Sequence, residues 1–153
     1  MKNESRPVQQ TFDIRGVVEG FYGAYYTVPQ RMDLIRFLGK HGFNFYVYAP
    51  KMDRHHRLLW REPYPPTTMA DFAKTIQTAQ EAGVTFCYAI SPGESFAYDD
   101  PEDFRLLTDK LKAFYHLGVR AFSLLLDDID AAWAQAEEMK VPASLAGAHA
   151  DLC

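Results

Sequence analysis

The stretch LLLDDID, residues 124–130, carries the two features that decide the fold of this chain. Its three leucines are typical of the end of a buried strand. Three carboxylates, Asp127, Asp128 and Asp130, follow directly after those leucines. Polar residues that collect after a strand are typical of parallel α/β folds, in which the loops at the carboxyl ends of the strands build the site.

The same unit, a strand followed by a helix, recurs along the chain. The segments DIRGVVEG, FNFYVYA, VTFCYAI and VRAFSLLL have the composition of strands. Helices between them are predicted to stop at Gly42, Gly83 and Gly118, which gives a period of about 40 residues. This alternation predicts parallel strands joined by right-handed crossovers, and hence an α/β protein.

The helix starts are marked by capping residues. Thr27 followed by Gln30 has the pattern of a capping box, Thr67 or Thr68 is the expected cap of the second helix, and Asp100 is that of the third. The first helix has an apolar face at a three-to-four-residue spacing. The residues of that face are Met32, Leu34, Ile35, Phe37 and Leu38.

The two ends of the predicted sheet differ in chemistry. The loops before the strands are short glycine turns, whereas every loop after a strand carries polar or aromatic residues. These are Glu19, Gly20 and Tyr22, then Lys51 and Asp53, then Ser91 and Glu94, and finally Asp127, Asp128 and Asp130. The periodicity fits either an open doubly wound sheet or half of a closed eight-stranded barrel, and the length of 153 residues favours the open sheet.

Composition and charge exclude several classes of function. The net charge is −4 and the basic residues are scattered, which disfavours a nucleic-acid partner. No apolar run reaches the roughly 20 residues of a membrane span, and the first residues lack the apolar segment of a secretory signal. Two cysteines do not make a disulfide framework. These features predict a soluble, cytoplasmic protein, and no motif indicates a cofactor.

Four stretches in order resemble one known family. GVVEGFYG (16–23), YAPK (48–51), YAISPG (88–93) and LLLDDID are similar to the N-terminal half of the family-84 glycoside hydrolases. These are β-N-acetylglucosaminidases that include the O-GlcNAcases and bacterial enzymes once called hyaluronidases. The resemblance implies the first four βα units of a TIM-type (β/α)8 barrel, with residues 1–12 as a flexible N-terminus and residues 13–153 as half of the catalytic domain, truncated in the fourth helix.

The resemblance also implies a mechanism. Two adjacent carboxylates share one backbone and do not straddle a sugar ring as the pair of an ordinary glycosidase does, but they can serve two atoms on one side of it. In the family's substrate-assisted hydrolysis, Asp127 would orient the 2-acetamido group and Asp128 would be the general acid and then the base. Lys51 would bind sugar hydroxyls and the carbonyl of Gly20 would face the same ring. The implied substrate is an N-acetylglucosamine-containing glycan or glycoprotein.

The chain also departs from the family pattern. Met52 stands where a second acidic residue is usual, and GAYY replaces a proline-tryptophan pair. Four further strands of the barrel, with their sugar-binding residues, have no counterpart in the sequence. We therefore expect little hydrolase activity from these 153 residues alone. The unpaired edges of a half barrel are compatible with a fragment of a longer protein or with self-association of two half barrels. The alternative is an inactive carbohydrate-binding or assembly remnant.

Other interpretations of individual residues remain open at this point. The acidic cluster at 127–130 is also compatible with a solvated helix start or with a divalent-cation site. His55 and His56 near Asp53 suggest zinc, but adjacent histidines point apart, and an exposed loop is the preferred interpretation. Trp60 and Tyr64 fit either a groove for the aglycone or the packing of the core.

Overall fold

The computed structural model describes residues 12–126. The predicted flexible N-terminus, apart from Phe12, and the predicted fourth helix lie outside this range. The elements are β1 (Gly16–Glu19), α1 (Val28–Lys40), β2 (Phe45–Tyr48), α2 (Pro66–Glu81), β3 (Thr85–Ile90), a 3₁₀ turn (Gly93–Ser95), α3 (Pro101–His116) and β4 (Ala121–Leu124). The predicted alternation of strands and helices is therefore confirmed.

The four strands form one parallel sheet in the order β1-β2-β3-β4. Tyr48 of β2 contacts Arg31 of α1 and Phe72 of α2, and Tyr88 of β3 stacks on Phe114 of α3. Because Tyr48 and Tyr88 are register partners, they point to the same face, and the three described helices all cover that face. A doubly wound sheet reverses its strand order and has helices on both faces. The open-sheet alternative is therefore wrong, and the strands form an arc of a barrel.

The core between the sheet and its helices is largely aromatic. Phe72 contacts Tyr48, Tyr64 and Phe114 edge to face, with ring centroids 4.9, 5.1 and 4.8 Å apart. The rings of Tyr88 and Phe114 are stacked with centroids 3.6 Å apart. Each such ring buries roughly 150–250 Å², so this cluster supplies much of the apolar burial that holds the helices on the sheet.

Two of the three predicted helix caps are confirmed. The N–H and the hydroxyl of Thr27 both donate to Oε1 of Gln30 at 2.9 Å, and the carboxylate of Asp100 accepts from the N–H of Glu102 at 2.9 Å. The cap predicted at Thr67 or Thr68 is wrong, because α2 already begins at Pro66. Proline suits the first turn of a helix, since its missing N–H would have no intrahelical partner there.

The apolar face of α1 is narrower than predicted. Ile35 and Leu38 are buried as expected, but the side chain of Phe37 is 54% exposed and rests on His41. Phe37 lies about 200° around the helix from Ile35, which turns it away from the sheet. The buried position near the start of the helix is occupied by Arg31 instead. None of the described helices is long and apolar enough to cross a membrane.

Candidate active site

Gly20 and Lys51 both lie just beyond the ends of neighbouring strands. The N–H of Ala49 donates to the carbonyl of Glu19 at 3.1 Å, and the N–H of Lys51 donates to the carbonyl of Phe21 at 3.3 Å. These bonds extend the β1–β2 pairing past both strand ends, and Gly20 lies between the two bonded residues. The backbone therefore fixes both predicted sugar-binding residues at the carboxyl edge of the sheet.

A side chain at Gly20 would be crowded mainly by one flexible side chain. A Cβ atom there would lie 3.1 Å from Cγ1 of Val18 and 4.0 Å from the carbonyl oxygen of Ala49. At Gly39, by contrast, a Cβ atom would lie only 2.2 Å from the carbonyl oxygen of Ala82 in the neighbouring turn. Packing therefore requires a glycine at position 39, whereas at position 20 a small side chain would need only a slight shift of Val18.

The fourth strand ends at the same edge. The N–H of Leu125 donates to the carbonyl of Ile90 at 2.8 Å, which continues the β3–β4 pairing. The predicted catalytic residues Asp127 and Asp128 follow Leu126 in the chain and lie outside the described residues. The described part of the chain thus establishes the positions of Gly20, Lys51 and the end of β4.

Glu19 belongs to the opposite face of the sheet from the predicted site. Its carboxylate is fully buried against α1, where it accepts from Nε of Arg31 at 2.7 Å and from the N–H of Tyr26 at 3.0 Å. The hydroxyl of Tyr46 also donates to it. Burial opposes the charge on Arg31, but the bonds to Glu19 outweigh it and raise the pKa of Arg31. Glu19 therefore anchors the start of α1 to the sheet.

Asp53 is likewise bound within the protein. Its carboxylate is buried and accepts from the hydroxyls of Tyr48 at 2.8 Å and Tyr64 at 2.6 Å. Burial, together with neighbouring negative charge from Asp53, raises the pKa of both tyrosines, so both phenols stay protonated and continue to donate. The position of Asp53 after β2 predicts a site residue, but the structure shows that it binds two tyrosines within the protein and holds the loop together.

His56 is fully buried, so the prediction of an exposed loop at this residue is wrong. Its Nδ1–H donates to the carbonyl of Ala89 at 2.8 Å, and its own carbonyl accepts from the N–H of Ser91 at 3.0 Å. His56 thus pairs with the end of β3 after β2 has ended. Burial lowers the pKa of its ring. Among residues 12–126, no group of three His, Cys, Asp or Glu side chains could hold a metal ion.

Trp60 and Tyr64 are both buried, which agrees with core packing rather than with an open aglycone groove. The indole N–H of Trp60 donates to the hydroxyl of Ser95 at 2.9 Å and so joins two of the loops that follow strands.

Lys110 is a further residue of this region that was not predicted from the sequence. It interrupts the buried face of α3 and donates to the carbonyl of Trp60. A lysine between Leu107 and Phe114 on an apolar face was the available signal.

A cleft of about 280 Å³ opens between the starts of α1 and α2. The residues that line it include Tyr25, Asp53, Tyr64 and Phe72. The cleft lies on the helix side of the sheet, because Phe72 and Tyr48 line it, and it does not include Gly20 or Lys51. It is therefore separate from the edge where the predicted sugar-binding residues meet.

Comparisons with known proteins agree with this geometry. A sequence model of the β-N-acetylglucosaminidase family (NAGidase) matches residues 15–153. Protein O-GlcNAcase of Rattus norvegicus and that of Mus musculus are each 44% identical over 115 residues, 75% of this chain and 13% of the relative. The chain therefore spans about an eighth of the length of these relatives.

Solved structures also match over most of the chain. A mutant of Thermobaculum terrenum O-GlcNAc hydrolase is 36% identical with a TM-score of 0.87, over 92% of this chain and 30% of that one. The structure of CpGH84B is 42% identical with a TM-score of 0.74, over 82% of this chain and 23% of that one. The likeness confirms a segment of a TIM-type (β/α)8 barrel. The chain belongs to the β-N-acetylglucosaminidase family, the family-84 glycoside hydrolases.

Proposed function

We propose that this chain carries the catalytic carboxylates of a retaining enzyme that hydrolyses terminal β-linked N-acetylglucosamine from glycans or glycoproteins. Asp127 and Asp128 are the proposed catalytic residues, and Gly20 and Lys51 the proposed sugar-binding residues. Family membership supports the reaction class, and the names of the relatives indicate O-linked N-acetylglucosamine as the substrate.

One observation carries the assignment of the site. The backbone bonds beyond β1 and β2 bring Gly20 and Lys51 together at the edge where β4 also ends. The next residues in the chain after Leu126 are Asp127 and Asp128. In barrel enzymes this carboxyl edge holds the active site, which supports assigning all four residues, from the ends of three strands, to one rim.

The proposed reaction uses the nucleophile of the substrate. Asp127 accepts a hydrogen bond from the acetamido N–H, and the acetamido oxygen then attacks the anomeric carbon while the glycosidic bond breaks. Asp128 gives its proton to the departing oxygen. In the second step Asp128 takes a proton from water, whose oxygen opens the cyclic intermediate and restores the acetamido group. This is the substrate-assisted exception to the scheme with two opposed carboxylates.

The adjacency of the two carboxylates suits this division of roles. Like charges on neighbouring side chains disfavour double ionisation, so one group of the pair holds its proton more readily than an isolated carboxyl does. An acid catalyst needs such a proton near neutral pH. The titration belongs to the pair rather than to either residue alone.

Turnover of an aryl N-acetylglucosaminide by the intact protein tests the assignment. We expect Asp128→Asn and Asp127→Asn each to lower kcat by about 10²–10⁴-fold, whereas Asp33→Asn, at an exposed carboxylate, should leave it unchanged. A substrate with a fluorinated acetamido group should react more slowly, because fluorine withdraws electron density from the attacking oxygen. Equal rates for both substrates would contradict the substrate-assisted step.

We further propose that full turnover needs barrel strands in addition to those described here, because the chain covers only 30% of the bacterial hydrolase it resembles. Residues that bind the transition state from the other side of the sugar would supply much of the positioning.

Calorimetric titration with N-acetylglucosamine, together with a turnover assay, distinguishes an active enzyme from an inactive carbohydrate-binding remnant. Binding without turnover in any longer form of the protein would favour the inactive carbohydrate-binding alternative.

A further inference from the structure

Lys110 of α3 is a buried lysine whose ammonium group contacts backbone carbonyls. Only 7% of the residue is exposed. Its Nζ donates to the carbonyl oxygens of His55 at 2.6 Å, Glu62 at 2.7 Å and Trp60 at 2.8 Å. All three acceptors belong to the β2–α2 connection, residues 49–65, which contains neither a strand nor an α-helix.

The number of donors matches the number of close acceptors. An ammonium group has three N–H bonds, and three carbonyls lie within 2.8 Å of it, while the carbonyl of Leu59 is farther away at 3.4 Å. The ring of Tyr64 lies beneath the cation, with its centroid 4.9 Å from Nζ. Carbonyls in an irregular segment have no ladder partner, so Lys110 does for this connection what a neighbouring strand would do.

Burying a cation is costly, which makes a purely space-filling role implausible for Lys110. Burial lowers the pKa of Lys110 to about 8, against the opposing negative charges of Asp53 and Glu62. Leucine or methionine would pack against the same face of α3 without that cost. Lysine differs from these residues because its ammonium group can donate to all three carbonyls.

Backbone hydrogen bonds connect the segment bound by Lys110 to the residues next to Lys51. The N–H of His56 donates to the carbonyl of Asp53 at 3.2 Å, and the N–H of Asp53 donates to the carbonyl of Pro50 at 3.0 Å. Lys51 follows Pro50 directly. The connection is thus held by α3 at residues 55–62 and by the β1–β2 pairing at Lys51.

We propose that Lys110 is a positioning residue that acts through the β2–α2 connection to fix Lys51 at the sugar-binding edge. This rests on the sugar-binding role of Lys51 in the proposed function. Lys110 does not touch the substrate; it sets the geometry of the segment in which Lys51 is anchored.

Hydrogen exchange on the intact protein tests the first half of the proposal. We expect Lys110→Met to raise the exchange rates of the amides of Asp53, His56 and Glu62 about ten-fold or more, with β3 and α2 unchanged. Lys112→Met is the matched control, since Lys112 lies on the same helix and is 64% exposed. If Lys110→Met does not fold, Lys110→Arg retains the stem and the charge, but its planar fork does not match three carbonyls around one point.

Kinetics with an aryl N-acetylglucosaminide test the second half. Displacing Lys51 should weaken binding in the ground state and the transition state alike, so Lys110→Met should raise KM about ten-fold and change kcat less than two-fold. In a Lys51→Met background the same substitution should no longer raise KM, because the two residues act on one interaction.

The results of these experiments distinguish failure of the positioning role of Lys110 from failure of the proposed hydrolase function. Faster exchange throughout the chain, or an unchanged exchange rate in the connection, would show that Lys110 does not hold this segment. Local loosening with an unchanged KM, or a KM effect that persists without Lys51, would overturn the positioning role. If a wild-type form that contains the further barrel strands shows no turnover, the proposed function fails, and the exchange result still decides whether Lys110 orders the connection.

Discussion

The two connections that hold Gly20 and Lys51 treat their side chains in opposite ways. The β1–α1 connection, residues 20–27, exposes the aromatic residues Phe21, Tyr22, Tyr25 and Tyr26. The β2–α2 connection buries Asp53, His56, Trp60 and Tyr64, although it is equally devoid of regular structure. The first connection therefore exposes its aromatic side chains to solvent, whereas the second buries side chains that hold the backbone of the segment containing Lys51.

The largest expected effect comes from the buried connection. Trp60 is fully buried, packs on Phe96 with ring centroids 5.4 Å apart and donates to Ser95. Trp60→Ala should lower the free energy of unfolding by about 3–5 kcal/mol in urea denaturation. Leu58→Ala, two residues away at a side chain 76% exposed, should change it by less than about 0.5 kcal/mol. Equal effects would refute the view that this loop is packed like a core.

Two glycines sharpen the contrast between a structural and a ligand-facing position. Gly39→Ala places a Cβ atom against the backbone of Ala82 and should destabilise the protein by about 1–3 kcal/mol. Gly20→Ala meets mainly the flexible side chain of Val18 and should change stability by less than about 1 kcal/mol.

The same Gly20→Ala variant should bind N-acetylglucosamine more weakly, because the new methyl group would stand between the sugar and the backbone. Thermal unfolding and calorimetric titration measure the two quantities separately. Undiminished sugar affinity in Gly20→Ala would remove Gly20 from the site.

The sequence predicted the elements of this fold better than the roles of its polar residues. Gly42, Gly83 and Gly118 were correctly identified as helix stops, and all three have positive φ. Such signals are local, because a cap or a stop is decided within one turn of helix. The curvature of the sheet into a barrel is not encoded in such local signals. In the sequence, only the resemblance to a barrel family distinguished a barrel from an open sheet.

Polar residues after the strands were harder to assign from sequence. Glu19 and Gly20 are neighbours in the chain, yet Glu19 turns towards α1 and only Gly20 faces the other way, because successive residues of a strand alternate between faces. Asp53 and His56 follow a strand end without any such periodicity. Their burial depends on tyrosines and carbonyls from distant parts of the chain, which no local pattern encodes.

An effect smaller than that of Trp60→Ala is expected in the pH dependence of stability, at His56. Burial lowers the pKa of this ring below its ordinary value of 6.5, although the carbonyl of Ala89 and the charge of Asp53 oppose the shift and Lys51 and Arg57 add to it. Below pH 6.5 the unfolded chain binds a proton that the native ring does not, so His56 makes the free energy of unfolding fall as the pH decreases. One such proton contributes at most about 1.4 kcal/mol per pH unit.

Urea unfolding at several pH values between 5 and 7.5 isolates this contribution. His56→Gln should show a shallower loss of stability towards acid than the wild type. The difference in slope is the informative quantity, because carboxylates elsewhere affect both proteins alike. Parallel curves for wild type and His56→Gln would mean that the ring binds protons in the native protein as it does in the unfolded chain, and would contradict the lowered pKa.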